Sequence, residues 1–105
     1  MKSVNRIVCV NNGGFIQKFR VRWENGNSGW SSNYPNPQSR EWDLNRLNIP
    51  EGARVCIEVK AILGTTCSSE PVIYQRDSDN VALYRTVGTL SLIHISEPTR
   101  PRLIS

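Results

Sequence analysis

The residues able to do chemistry in this chain are few: one histidine (His94), three cysteines and two close carboxylate pairs, Asp77 with Asp79 and Glu41 with Asp43. Nucleophilic catalysis needs a base beside the nucleophile, most often an imidazole. His94 sits in a C-terminal stretch, "LSLIHISEPTRPRLIS", whose character differs from the rest, so it offers no base to the body of the chain. The carboxylate pairs could act as paired acids or hold a weak cation, but one falls in a loop and the other on a strand face, where charges are ordinarily solvated. Cys9, Cys56 and Cys67 are odd in number and form no CxxC pair. That argues against a disulfide framework or a zinc site and fits a reducing compartment, each thiol acting as a small, half-buried apolar residue. Neither a GxxxxGK phosphate cradle nor a dinucleotide fingerprint occurs. The reading is a non-enzymatic protein with no catalytic residue, no metal and no cofactor.

Binding chemistry has more to work with. In "FIQKFRVRW" the cations Lys18, Arg20 and Arg22 fall on one side of an alternating pattern, and the next segment, "ENGNSGWSSNYPNPQ" (24–38), carries Trp30 and Tyr34 among small polar residues. These five residues form the candidate ligand-binding set. Cations beside flat aromatic bodies suit anionic lipid headgroups, glycans or single-stranded nucleic acid. The formal charge, +3 once the C-terminal stretch from Leu90 is set aside, is too small to argue strongly for nucleic acid. Two plainer roles compete: an ordinary solvated basic face, and Trp30 as a lid over one end of the fold.

The elements that must position these residues have the period of strands. "FIQKFRVRW" puts Phe15, Phe19, Val21 and Trp23 opposite its cations, and "ARVCIEVKAIL" puts Val55, Ile57, Val59, Ala61 and Leu63 opposite Glu58 and Lys60. "VNRIVCV", "REWDL", "PVIY" and "ALYRTV" are shorter candidates. The Asn11-Asn12-Gly13-Gly14 run predicts a hairpin joining residues 4–10 to 15–23. "IPEGA" predicts a tight turn with Gly52 at the awkward angle, and "DLNRLNIP" allows about one helical turn before Pro50. No internal repeat appears, and no apolar stretch approaches the roughly 18–20 residues that would span a bilayer. The expected fold is all-β: a single-domain antiparallel β-sandwich of about six or seven strands.

The tail has its own explanation. "LSLIHISEPTR" resembles, across its whole length, one reading frame of a common transposon-type sequencing adapter. The division expected is a β-sandwich domain over 1–89 and a non-native tail over 90–105, with the final strand truncated or replaced. The first 89 residues then hold eleven basic and eight acidic residues, a formal charge of +3. No signal peptide is recognised in "MKSVNRIVCV", so a cytoplasmic or leaderless protein is expected.

Taken together, "GGFIQKFRVRW", "SGWSSNYP", "REWDL", "IPEGARVCIEVKAILG" and "VALYRTVGTL" resemble the aegerolysin-like β-sandwich proteins, nearer their nematode relatives up-regulated in long-lived animals than the fungal members. The resemblance covers roughly residues 4–90. It implies a β-sandwich without enzymatic activity that meets a membrane lipid, or that associates with a protein partner as a homo- or heterodimer. The fungal members tend to be acidic, whereas this chain is basic. The first functional expectation is surface recognition of lipid, glycan or protein. The alternative is a structural, self-associating sandwich using its sheet edges.

Overall fold

The alternation in "FIQKFRVRW" becomes strand β3 (Gln17–Trp23), which buries Gln17, Phe19 and Val21 and turns Lys18, Arg20 and Arg22 outward. The computed structural model describes residues 3–61, 66–89, 92–96 and 99–101. The other strands are β1 (Ser3–Val4), β2 (Arg6–Asn11), β4 (Gly26–Asn27), β5 (Ser39–Asp43), β6 (Arg54–Ala61), β7 (Thr66–Ser68), β8 (Val72–Tyr74), β9 (Asn80–Thr89), β10 (Leu92–Ser96) and β11 (Thr99–Pro101). One sheet has the order β1-β8-β6-β3-β4 with β7 also on β6; the other has the order β10-β9-β2-β5 with β11 also on β9. The sheets pack face to face as a single-domain β-sandwich. The expected six or seven strands are exceeded because two- and three-residue pieces such as β1, β4 and β7 pair independently.

Both sheets feed one core. Phe19, Val21, Val55, Ile57, Val59 and Tyr74 come from the first sheet, and Ile7, Cys9, Ala82 and Tyr84 from the second. Each large apolar side chain removed from water this way contributes about 1.5–3 kcal/mol. β6 keeps the predicted phase: Val55, Ile57, Val59 and Ala61 are buried, while Leu63 lies outside the described residues. Val21 stands opposite Ile57, so the inward faces of these neighbouring strands meet as expected. Trp23, at the end of β3, packs against the core only half-buried.

Two sequence expectations fail for identifiable reasons. The predicted hairpin of 4–10 with 15–23 does not form. β2 pairs with β5 and β9, whereas β3 pairs with β4 and β6, so the Asn-Gly run crosses between sheets. Asn11 makes this crossing: its buried side chain accepts from Gly13 N (2.9 Å) and donates to Phe15 O (2.7 Å) and Tyr34 O (3.1 Å). A side chain closing its own turn substitutes for the hairpin ladder. "VNRIVCV" is likewise not one strand. It breaks at buried Asn5, which donates to Arg76 O (3.1 Å), and its two halves join different sheets.

Other local signals hold. Leu44–Arg46 makes one 3-10 turn, capped by Asp43 accepting from Asn45 N (3.1 Å). In the "IPEGA" turn Ala53 N donates to Pro50 O (3.1 Å), and Gly52 has φ +83°. No atom lies within 4 Å of where a Cβ would sit on Gly52. Gly52→Ala therefore meets no steric block and should lose only the left-handed backbone cost, about 1–2 kcal/mol. A urea denaturation midpoint equal to that of the parent would show that the turn does not need this angle.

At the far edge, Leu92–Ser96 runs antiparallel to β9 with His94 opposite Val87, and Thr99–Pro101 pairs with Asn80 to Ala82. The opposite edge strand, β5, carries the charges Arg40, Glu41 and Asp43, which discourage edge-to-edge pairing.

Candidate anion-binding face

The outward side of the β3–β6 pair is a ladder of charge. In register, Lys18 faces Lys60, Arg20 faces Glu58 and Arg22 faces Cys56. The middle rung is satisfied: Arg20 reaches Glu58 Oε1 through Nε and Nη2 at 2.7 Å each, and Arg22 Nη1 reaches Oε2 at 2.9 Å. One carboxylate thus holds two guanidiniums by charge-assisted hydrogen bonds, and their stems cover it until Glu58 is only 8% exposed.

Burial pushes the Glu58 carboxyl up, but the hydrogen bonds and charges of Arg20 and Arg22 outweigh it and hold the group below the usual carboxylate range. A carboxyl lowered in the folded state adds stability that is complete above its unfolded value and lost as pH falls through the folded one. The melting temperature should therefore decline as pH drops below the ordinary range for glutamate. Glu58→Gln should flatten part of that decline in a pH-resolved thermal scan, and an unchanged slope would remove Glu58 from the account.

The rung above has no such balance. Lys18 and Lys60 stand directly opposite each other, and among the described residues no carboxylate pairs with either. Like charges in this position destabilise a sheet by roughly 0.2–1 kcal/mol. With Asn33 and Ala61 they line a shallow pocket of about 240 Å³.

Trp30 lies beside this pocket. Its ring sits 5.0 Å from Lys18 Nζ and 4.4 Å from Arg20 Cζ, over the outer face of β3. Segment 24–38 holds it there because the segment is not a free loop. β4 pairs with Arg22 and Trp23. Beyond it Ser28 N donates to Val21 O (2.9 Å), Ser31 N to Phe19 O (2.8 Å) and Tyr34 N to Gln17 O (2.7 Å). Between these contacts the hydroxyls of Ser28 and Ser31 accept from Val21 N and Phe19 N. Serines thereby zip an irregular edge onto β3, and Gly29 at φ +80° bends it just before Trp30. Trp30 is half-buried on the outside of the sheet, not a lid over the core.

Tyr34 requires a correction. It was expected beside Trp30 as a surface contact, yet it is fully buried and belongs to the core. Its hydroxyl accepts from Gln17 Nε2 (2.7 Å), its ring meets Phe19 edge-on at 6.4 Å, and Arg40 Cζ covers it at 5.0 Å. Burial, and then Cys9 nearby, push its phenol far above the usual value, so it stays protonated. Its backbone bridge to Gln17, with Tyr34 N donating to Gln17 O (2.7 Å) and Gln17 N to Tyr34 O (3.1 Å), fixes it there. Of the five candidates, Lys18, Arg20, Arg22 and Trp30 come together on one face. Lys60, Glu58 and Asn33 join them without having been singled out.

The same face continues into a groove of about 570 Å³ lined by Arg22, Trp23, Arg54, Cys56 and Pro71 among others. Burial pushes the Cys56 thiol up despite the opposing charge of Arg22, which makes it a poor nucleophile. Cys9 and Cys56 are free thiols, and the Cys67 side chain lies outside the described residues. The carboxylates of Glu41 and Asp43 pair with Arg6 at 2.7 and 3.5 Å, and Asp43 also with Arg46 at 3.8 Å. Among the described residues no group of three histidine, cysteine or acidic side chains could hold a metal ion, and no helix is long and apolar enough to cross a membrane. Comparison of the chain with protein-family models, curated proteins and solved structures finds no match.

Proposed function

We propose that this protein is a non-enzymatic recognition module that binds an anionic ligand on the outer face of the β3–β6 pair. The observation that carries the reading is the Lys18–Lys60 rung. Two lysines occupy directly opposed positions on β3 and β6, a like-charge pairing that costs folding, beside a tryptophan and next to a rung where Arg20 meets Glu58. An anion seated between them would convert that repulsion into two charge-assisted contacts. The self-associating alternative has less support, because the β5 edge is guarded by charge.

The test is a titration of isotope-labelled protein with inorganic pyrophosphate, read by amide and indole shifts. The largest shifts should fall on Lys18, Trp30, Asn33 and Lys60. Shifts centred instead on Arg6 and Arg46, at the opposite sheet, would refute the assignment.

A further inference from the structure

We infer that the ligand of this face is an acidic glycan, a chain of sulfated or uronic sugars lying along β3. The inference rests on the anion-binding reading above and narrows it to one class by three observations.

The first is the shape of the cationic surface. Lys18, Arg20 and Arg22 alternate along β3, and the partners of Lys18 and Arg22 on β6 are Lys60 and Cys56, with Arg54 two residues further along. From Lys18 to Arg22 the strand rises about 13 Å, longer than a single sugar ring. The pocket of Lys18 and Lys60 lies at one end and the groove of Arg22 and Arg54 at the other. Glu58 binds both Arg20 and Arg22, so the cations without a carboxylate partner among the described residues are Lys18 and Lys60 at one end and Arg54 at the other. A surface with cations at both ends and a matched centre fits a ligand whose anionic groups recur along its length.

The second is the aromatic platform that Trp30 makes beside Lys18 and Arg20. Trp30 lies flat against Lys18 and Arg20, held by backbone and serine contacts on both sides. A fixed, half-buried ring can take the apolar face of one sugar. Single-stranded nucleic acid is ordinarily held by successive aromatic stacks, and here Tyr34, the next aromatic along the segment, is in the core.

The third is the scarcity, among the described side chains, of apolar groups that could insert into a bilayer. Among the side chains described, the one large hydrophobic that is exposed is Ile16, at 47%. Peripheral proteins that meet a membrane bury apolar groups in the headgroup boundary as well as offering cations. Trp30 is half-buried and already engaged with Lys18 and Arg20, which suits it poorly to that role.

The experiment measures binding of the full chain to three probes: a heparin-derived hexasaccharide, phosphatidylcholine vesicles containing phosphatidylserine, and oligothymidylate. The hexasaccharide should bind at least tenfold more tightly than either rival. Trp30→Ala should weaken it at least fivefold, and Trp30→Phe should restore most of the loss, which a purely electrostatic face would not show. Binding to vesicles or oligothymidylate that exceeds hexasaccharide binding, and that Lys18→Gln with Lys60→Gln abolishes, would overturn the glycan assignment while leaving the anion face in place. Failure of all three probes, together with a flat pyrophosphate titration, would overturn both.

Discussion

Tyr34→Ala should unfold the domain, whereas Trp30→Ala, four residues earlier on the same segment, should leave it folded. Tyr34 is fully buried among core residues and contacts Phe19 and Gln17. Truncating a large buried aromatic costs ~3–5 kcal/mol, a large part of the roughly 5–15 kcal/mol that holds a domain together. Tyr34→Phe separates the ring from the hydroxyl. It keeps the packing but takes the best acceptor from the buried Gln17 amide, at a cost of about 1–3 kcal/mol. Trp30 is half-buried outside the core, and its contacts with Lys18 and Arg20 are of order 0.5–1 kcal/mol each at a partly exposed site. Urea melts of the three variants check the order. Equal losses for Tyr34→Ala and Trp30→Ala would mean that the two rings share one environment.

The contrast between these two residues shows how far the sequence can be read. Alternation in β3 and β6 is strict, and it predicted correctly which side chains of both strands face the core, because a one-residue slip would expose every apolar group on them. Segment 24–38 has no such pattern. Its glycine, serine and proline content reads as a loop, and nothing local shows that Ser28 and Ser31 supply hydroxyl acceptors to β3. Without that zipper the inward turn of Tyr34 could not be foreseen. The hairpin expected at Asn11-Asn12-Gly13-Gly14 fails for a related reason. The residues suit a turn, but which sheet each arm joins is set by long-range pairing of β2 with β9 and of β3 with β6. The face itself was half legible: the outward cations of β3 are in the sequence, while their partners Lys60 and Glu58 are fixed by a register that no short stretch encodes.

That register leads to the second large effect. Lys18→Gln with Lys60→Gln removes a repulsive rung, so the fold should become slightly more stable, by a few tenths to about 1 kcal/mol. Binding should move the other way. Each ammonium contact to an anion is worth about 1.5–3 kcal/mol, so losing both should weaken an anionic ligand by well over tenfold. A residue pair that lowers stability yet serves binding is the signature of a site. A pair that is merely solvated would change neither quantity much.

The most direct measurement is a thermal melt of the parent and the Lys18→Gln, Lys60→Gln variant, each with and without a saturating excess of inorganic pyrophosphate. A ligand that binds only the folded state raises the melting temperature in proportion to its affinity. The parent should melt lower than the variant without pyrophosphate and rise clearly when it is added, while the variant stays where it began. An equal rise in both proteins, or none in the parent, would contradict an anion site at Lys18 and Lys60.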